Sequence, residues 1–409
     1  MFAILENIIG KTDEWNIPVW MISLDLRKAF DTIKFLPLYG ALRRQGVPEA
    51  YVQLLSALYE KQKGTVNGSS FFDILRGVKQ GDVLLSMLFN AGLQEAFREW
   101  RCRLSTEGFL LNMNAARLTN VRYADDIMLF GKTLDELSIM VELLVEAFGT
   151  VGLELNASKS KILTNDNIEY QFLDIAESMV EIVQPQSSHK YLGRYLPGEL
   201  TLRENVEINH RIQCGWYAFG RHSATLCNRN VSVKLRLKLF DAVVIPTILF
   251  GLAILPLSQA SLKKIETAQR KMMGKIAGWV RIQNEPWEDT MRRMKDRVAC
   301  ALQQHPVMPW KKRIGKDLWK FILRVKSAPD ESWIHQSSMW APNELSDETS
   351  EFFPHRCRGR PLLKWDSVVR KFCSLRYNES WQKLSTDILS SCTDDFVQYF
   401  YDCDDVELE

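Results

Sequence analysis

Hydrophobic and polar positions follow different rhythms along this chain. Toward the start, short apolar runs are bounded by acids or glycines. Trp20-Met21-Ile22-Ser23-Leu24 ends at Asp25, and two further runs flank Asp125-Asp126 in the segment Val121-Arg122-Tyr123-Ala124-Asp125-Asp126-Ile127-Met128-Leu129-Phe130. Such runs predict strands: a buried one closing at Asp25, and the two arms of a β-hairpin with both acids at its turn. Between them Arg76-Gly77-Val78-Lys79-Gln80-Gly81-Asp82 is a glycine-punctuated loop that opens into an apolar helix through Asn90. A helix over about Phe2 to Glu14 precedes the first strand. From Val206 to about Lys326 apolar residues recur every three or four positions with basic and aromatic residues interleaved, which predicts long amphipathic helices.

Strand ends are where this chain places its carboxylates, and that changes the picture. An Asp-Asp turn standing alone is more often solvated than catalytic, and Asp31, just ahead of Thr32-Ile33, reads as a helix N-cap. Asp25 has no such structural role. Acids on two rigid strands can converge on a pair of Mg²⁺ ions, which take hard oxygen ligands and let substrate phosphates complete their shells.

In order, these segments resemble the palm motifs of reverse transcriptases of non-LTR (LINE-type) retrotransposons. Leu24-Asp25 to Phe30-Asp31 is similar to motif A, Gly77 to Asn90 to motif B, and Tyr123 to Asp126 to motif C. Gly152-Leu153-Glu154-Leu155-Asn156 with Lys159 is similar to motif D, and His189-Lys190-Tyr191-Leu192-Gly193 to motif E, the primer grip. The order of five motifs carries the resemblance more than any one of them.

The resemblance implies an α+β fold: a polymerase palm with an antiparallel sheet backed by helices in a ferredoxin-like core over 1–198, a helical thumb over 199–304, and a mostly helical C-terminal region over 305–409. It implies an RNA-directed DNA polymerase that extends a DNA primer on an RNA template by two-metal nucleotidyl transfer from deoxynucleoside triphosphates. The alternative is a decayed copy that binds nucleic acid without catalysis. Asp25, Asp125, Asp126 and the Leu26 carbonyl would hold two Mg²⁺ ions, with Mn²⁺ as the alternative metal. Lys159 would assist departing pyrophosphate, and Phe30 would gate the ribose. Gln80 and Gly81 would line the nucleotide pocket, and Tyr191, Leu192 and Gly193 would grip the primer. An RNA/DNA hybrid would lie against the thumb, and the family implies a nuclear and cytoplasmic protein.

Two departures qualify this. Leu85-Ser86 lacks the proline that the family carries after the serine of motif B, a residue suited to a first helical turn. Met1 also comes so soon before motif A that the fingers strands have no room, so the chain reads as an N-terminally truncated frame.

Composition adds limits rather than direction. The 409 residues carry 52 Lys+Arg against 50 Asp+Glu, so nucleic-acid contact must come from local basic surfaces such as the thumb's, while the tail from Asp387 is acidic. The apolar run Val243 to Pro256 is too short and too interrupted by Pro246 and Gly251 to span a membrane, and reads as a buried thumb helix with a turn. The start of the chain does not read as a signal peptide, and an intracellular protein is expected. The 8 cysteines form no close pair; His355, Cys357, Cys373, Cys392 and Cys403 are too irregularly spaced for a zinc knuckle. Pro306 to Pro309 and Ser337 to Glu351 read as linkers around a smaller tryptophan-rich unit. In it, Arg356-Cys357-Arg358-Gly359-Arg360-Pro361 precedes Lys364-Trp365-Asp366. That cluster is read equally as a phosphate contact with Trp365 stacking on a base and as a solvated loop beside a small core.

Overall fold

The fold is that of a computed structural model, which describes residues 1–60, 62–66, 70–78, 81, 83–111, 117–166, 170–342, 356 and 363–403. Helix α1 (Phe2–Glu14) leads into strand β1 (Trp20–Leu24), buried along its whole length, and then into the short helices α2 (Ala29–Thr32), α3 (Phe35–Arg44) and α4 (Glu49–Tyr59). A small hairpin, β2 (Lys63–Gly64) and β3 (Phe72–Asp73), precedes the long helix α5 (Leu85–Arg103). The hairpin β4 (Asn120–Tyr123) and β5 (Asp126–Gly131), helix α6 (Leu134–Val151) and β6 (Lys161–Thr164) complete the core. Strands β7 (Phe172–Ile175) and β8 (Ser178–Ile182) extend the sheet, whose order is β4-β5-β1-β6-β8-β7. Its first four strands are antiparallel neighbours in a β-α-β-β-α-β chain order, the split arrangement of a ferredoxin-like core. The expected palm topology is therefore present.

Local chemistry explains the two helices behind this sheet. Thr133 caps α6 by accepting the Glu136 N–H (3.1 Å), and Gly152 ends the helix in a left-handed conformation (φ 86°) that L side chains rarely adopt. Trp100 of α5 is fully buried, and its indole N–H donates to the Met140 carbonyl of α6 (2.8 Å), so the ring's burial leaves no polar group unpaired. Helix α5 starts at Leu85 with no side-chain cap at Leu84, as the missing proline and polar cap of this junction suggest.

A separate hairpin, β9 (Ser188–Tyr191) and β10 (Arg194–Pro197), turns through Leu192 (φ 49°) and Gly193 (φ 81°), the primed geometry that two-residue hairpins favour. The chain is helical thereafter: α7 (Arg203–Arg221), α8 (Ser223–Leu226), α9 (Val233–Leu239), α10 (Ile245–Leu249), α11 (Gln259–Ala277), α12 (Trp287–Gln304), α13 (Trp310–Lys326), α14 (Trp333–Met339), α15 (Ser367–Tyr377), α16 (Thr386–Ser391) and α17 (Thr393–Asp402). One apolar core runs from Ile208 and Phe240 through Trp310 and Trp319 to Trp381 and Phe396. That core holds residues on both sides of position 304, from Ala301 of α12 to Trp310 and Trp319 of α13. The apolar run is also longer than its sequence suggested. Val233–Ile254 is long and apolar enough by length and composition to cross a membrane, with mean hydropathy 2.0. It bends through a π-helical turn at Phe240–Val244 and at Gly251, and Leu237, Phe240, Ile245 and Ile248 lie in the helical core.

Helix α1 joins the two halves. Glu6, with its side chain 1% exposed, pairs with Arg194 (2.8 Å) and Arg203 (2.9 Å), and Arg203 also reaches Asp13 (3.4 Å). Asn7 donates to the Ser337 and Ser338 hydroxyls (3.2 and 3.1 Å) and accepts from the Trp365 indole N–H (2.8 Å). Lys11 donates to the carbonyls of Ser337, Ser338 and Trp340 at the end of α14, and burial brings its ammonium down to about 7. Asp366 accepts from the Trp381 indole (3.0 Å) and from Arg370 (2.7 Å). Trp365 is buried against Phe321, so it offers no face to a base. The base-stacking alternative for this ring is corrected: the Trp-Asp pair ties the C-terminal helices to α1. Arg358, Gly359, Arg360 and Pro361 lie outside the described residues, while Arg356 pairs with Glu14 (2.9 Å).

Candidate active site

Register brings the acids together. Leu24 pairs with Ile127 across β1 and β5, and Tyr123 pairs with Asp126 across β4 and β5. Continued by one residue, that register sets Asp25 beside Asp126, near enough for its charge to act on the Asp126 carboxyl. Ala124 and Asp125 form the turn; Ala124 has φ 52°, a left-handed conformation that costs about 1–2 kcal/mol for a residue with a side chain. Asp125 thus sits at the tip and Asp126 is the first residue of β5. Partial withdrawal from water pushes the Asp126 carboxyl above its ordinary range, and the charges of Asp125 and Asp25 push it further in the same direction.

Asp25 is held by the segment after α6. Its N–H donates to Ser160 Oγ (3.1 Å), its carbonyl accepts the Asn156 N–H (2.8 Å), and its Oδ2 accepts from Asn156 Nδ2 (2.8 Å). Leu26 forms a bridge with Leu155, and among the described residues no backbone N–H donates to the Leu26 carbonyl. Asn156 and Ser160 are positioning residues that the sequence reading did not assign, although Asn156 stands inside the motif quoted for Lys159. The Lys159 side chain is exposed and makes no hydrogen bond or ion pair among the described residues; its backbone N–H donates to the Asn156 carbonyl (3.2 Å).

Two glycines let loops close on the backbone that follows Asp25. Gly77 (φ 93°) donates to the Ile33 carbonyl (2.8 Å), and a Cβ there would lie 2.7 Å from the Asp31 carbonyl oxygen. At Gly152 a Cβ would lie 2.8 Å from the Thr32 carbonyl oxygen. Asp31 itself lies within α2, whose N-cap is Lys28, so its reading as an N-cap is corrected. The left-handed Lys28 (φ 43°) starts the helix three residues earlier than an N-cap at Asp31 would. Phe30 is half-buried against Phe89 (ring centroids 4.6 Å apart), and its carbonyl accepts the Val78 N–H (2.7 Å), which ties motif A to the loop before α5. Gly81 has φ 90° with open space where a Cβ would stand; Gln80 lies outside the described residues.

The β9–β10 hairpin reaches this site through Tyr191. Its ring is buried, its hydroxyl donates to Met1 Sδ (3.4 Å), and burial together with the Asp126 charge raises the phenol above its ordinary range. Arg211 of α7 donates to the Gly193 carbonyl and pairs with Glu207 (2.6 Å), which also accepts the Tyr195 N–H (2.9 Å). Arg211 is therefore a buried brace for the hairpin turn and not part of a basic surface. His189, on the same hairpin, is brought down to about 4 by burial and then by the Lys161 charge.

The donors match a hard divalent ion in kind: the three carboxylates of Asp25, Asp125 and Asp126 and an unclaimed carbonyl at Leu26. As the side chains stand, no three acidic, histidine or cysteine groups among the described residues are close enough to hold one ion. Asn156 keeps one oxygen of Asp25 occupied.

Residues 9–196 match the family model described as reverse transcriptase (RNA-dependent DNA polymerase). The chain is 26% identical over 399 residues to a Pol polyprotein of the type-2 retrotransposable element R2DM of Drosophila melanogaster, covering 94% of this chain and 34% of that protein. It is 28% identical over 205 residues to a Pol polyprotein of an R2 element of Popillia japonica, covering 47% and 28%. A putative uncharacterized transposon-derived protein of Caenorhabditis elegans is 25% identical over 267 residues, covering 65% and 89%. The chain spans about a third of the length of its R2 relatives from fly and beetle. Residues 9–196, with the ferredoxin-like sheet and the acids at its β1 and β4–β5 ends, thus form a reverse transcriptase domain, and the chain is similar to the Pol polyproteins of R2 non-LTR retrotransposons.

Proposed function

We propose that this chain extends a DNA primer on an RNA template, with Asp25, Asp125 and Asp126 as the ligands of two Mg²⁺ ions. The β1–β5 register, which sets Asp25 beside Asp126 with Asp125 on the adjoining turn, carries this reading. Bound there, Mg²⁺ would supply activation of the primer hydroxyl and charge neutralisation on the phosphates. The remaining work is positioning. Asn156 and Ser160 fix Asp25 in place, and two glycines allow the motif B and motif D segments to pack on the α2 backbone. Phe30, packed against Phe89, would gate the ribose of the incoming nucleotide. Tyr191 and the Leu192-Gly193 turn offer a buried, braced edge for the primer end. Lys159, exposed and unengaged, is free to meet departing pyrophosphate.

The test is primer extension on an RNA template with and without Mg²⁺, parent against Asp125→Asn. Extension by the variant at the parent's rate removes Asp125 from the reaction. A parent that binds template and primer without extending them replaces this reading with a nucleic-acid-binding protein.

A further inference from the structure

A groove of about 1240 Å³ lies between α11 and α12, and none of the palm acids lines it. Helix α11 divides cleanly. Leu262, Ile265, Met272, Met273 and Ile276 enter the helical core, while Lys263, Lys264, Arg270, Lys271 and Lys275 stay exposed. Arg270, Lys271 and Lys275 line the groove together with Lys295 of α12, and Glu266 is the only acid among its described lining residues. None of those four cations is in an ion pair among the described residues, in contrast to the buried arginines under α1. A second depression that shares Trp216, Thr267 and Lys271 continues the surface to Lys263 and Lys264. From Lys263 to Lys275 the cationic face runs about 18 Å at a helical rise of 1.5 Å per residue.

Aromatic rings flank this cationic face. Trp279 and Trp287 are 44% and 56% exposed with ring centroids 6.1 Å apart, and Arg281 lies over the Trp287 ring (5.8 Å). What sets these two rings apart from singly exposed aromatics is that they adjoin each other and line the groove, so they form one contiguous exposed patch. They are also held in place. Arg293 grips Glu285 through Nε (2.9 Å) and Nη2 (2.7 Å) and donates to the Val280 carbonyl (2.7 Å), and Thr290 donates to Glu285 (2.5 Å), fixing the loop that carries both tryptophans. The Arg293 partnership holds the Glu285 carboxyl down to about 2, so the clamp is closed at any ordinary pH.

The geometry points to a binding site for single-stranded nucleic acid in this groove, with bases stacking on Trp279 and Trp287 and the backbone following the cations of α11. Unpaired bases expose the π-faces that such rings stack on, and a duplex hides them. Cations supply the backbone attraction without reading sequence or sugar. The site is independent of the palm acids and does not need metal.

The test uses the full chain in EDTA, which silences metal-dependent chemistry at the palm. Binding of fluorescein-labelled 15-mer oligouridine, oligothymidine and a 15-base-pair duplex is measured by anisotropy over a salt series. The expected result is tighter binding of both single strands than of the duplex. Trp279→Ala/Trp287→Ala should weaken single-strand binding at least about tenfold with little change for the duplex. Lys271→Gln/Lys275→Gln should lower the slope of log K against log salt by about 1.4. Trp287→Phe, which keeps a ring, should retain most of the affinity and controls for folding. Unchanged single-strand affinity in the tryptophan pair overturns the proposal, as does equal loss for single strand and duplex. If the tryptophan pair fails to fold, an unchanged salt slope in the lysine pair overturns it.

Discussion

In the palm, residues that act together are neighbours on paired strands or on the short loops between them. In the helical half, the contacts that decide the arrangement join residues at opposite ends of the chain. Asp25 meets Asp126 because β1 pairs with β5, a relation written into two short apolar runs. Trp365 meets Asn7 across 358 positions, and Asn7 meets Ser337 across 330. The two regions also use charge differently. The palm acids stay at least partly open to water, and the charges of Asp125 and Asp25 raise the proton affinity of Asp126, whereas Glu6, Arg194 and Arg203 are buried and spend their charges on each other. Removing a charge from the first region should cost chemistry, and from the second, the fold.

The sharpest way to break this comparison is Asp125→Asn. Primer extension should fall by about 10³-fold or more, while the melting temperature stays near the parent's because the turn is partly open to water. A large loss of stability would show that the palm acids hold the fold after all. Glu6→Gln should do the reverse, costing about 3–5 kcal/mol in denaturant unfolding because two buried arginines lose their partner. Gly77→Ala should cost about 1–3 kcal/mol and raise the KM for nucleotide, since a Cβ 2.7 Å from the Asp31 carbonyl oxygen displaces the loop before α5. Trp365→Phe keeps an aromatic ring but leaves part of the indole's space unfilled and removes the bond to Asn7, and should cost at least about 1–2 kcal/mol by the same unfolding measurement.

The smallest effect is a pH dependence. His189 has a folded pKa of about 4 against an ordinary 6.5, so the unfolded chain binds more protons between those values. Its contribution to stability is complete above about pH 6.5 and is lost as pH falls through 4. His189→Gln should flatten that part of the stability profile by about 1 kcal/mol, measured by urea unfolding at pH 7, 5.5 and 4.

Legibility follows the same division. The β4–β5 hairpin, β1, the loop before α5 and α1 over Phe2–Glu14 stand where their apolar runs place them, because strand period and turn residues are local signals. Asn156 and Ser160 escaped notice because a side chain that positions another has no signature of its own until the strand it supports is folded. Asp31 was misplaced for a related reason. An acid ahead of a β-branched pair looks like a cap, and only the left-handed Lys28 shows that the helix has already begun. In the helical half, the burial of Arg211 between the Gly193 turn and Glu207 depends on where the hairpin docks. Trp365 offered two readings, and the arrival of α1 decided between them.

By itself, the sequence determined the palm: apolar runs of strand length, acids at their ends and glycines where backbones must touch all act over a few residues, and backbone geometry does the rest. What tertiary structure alone decided is which charges and rings remain available. Arg211 and Trp365 were taken into the interior, while Lys271, Lys275, Trp279 and Trp287 were left in water. Burial depends on which distant segment arrives to cover a side chain, and no local pattern records that.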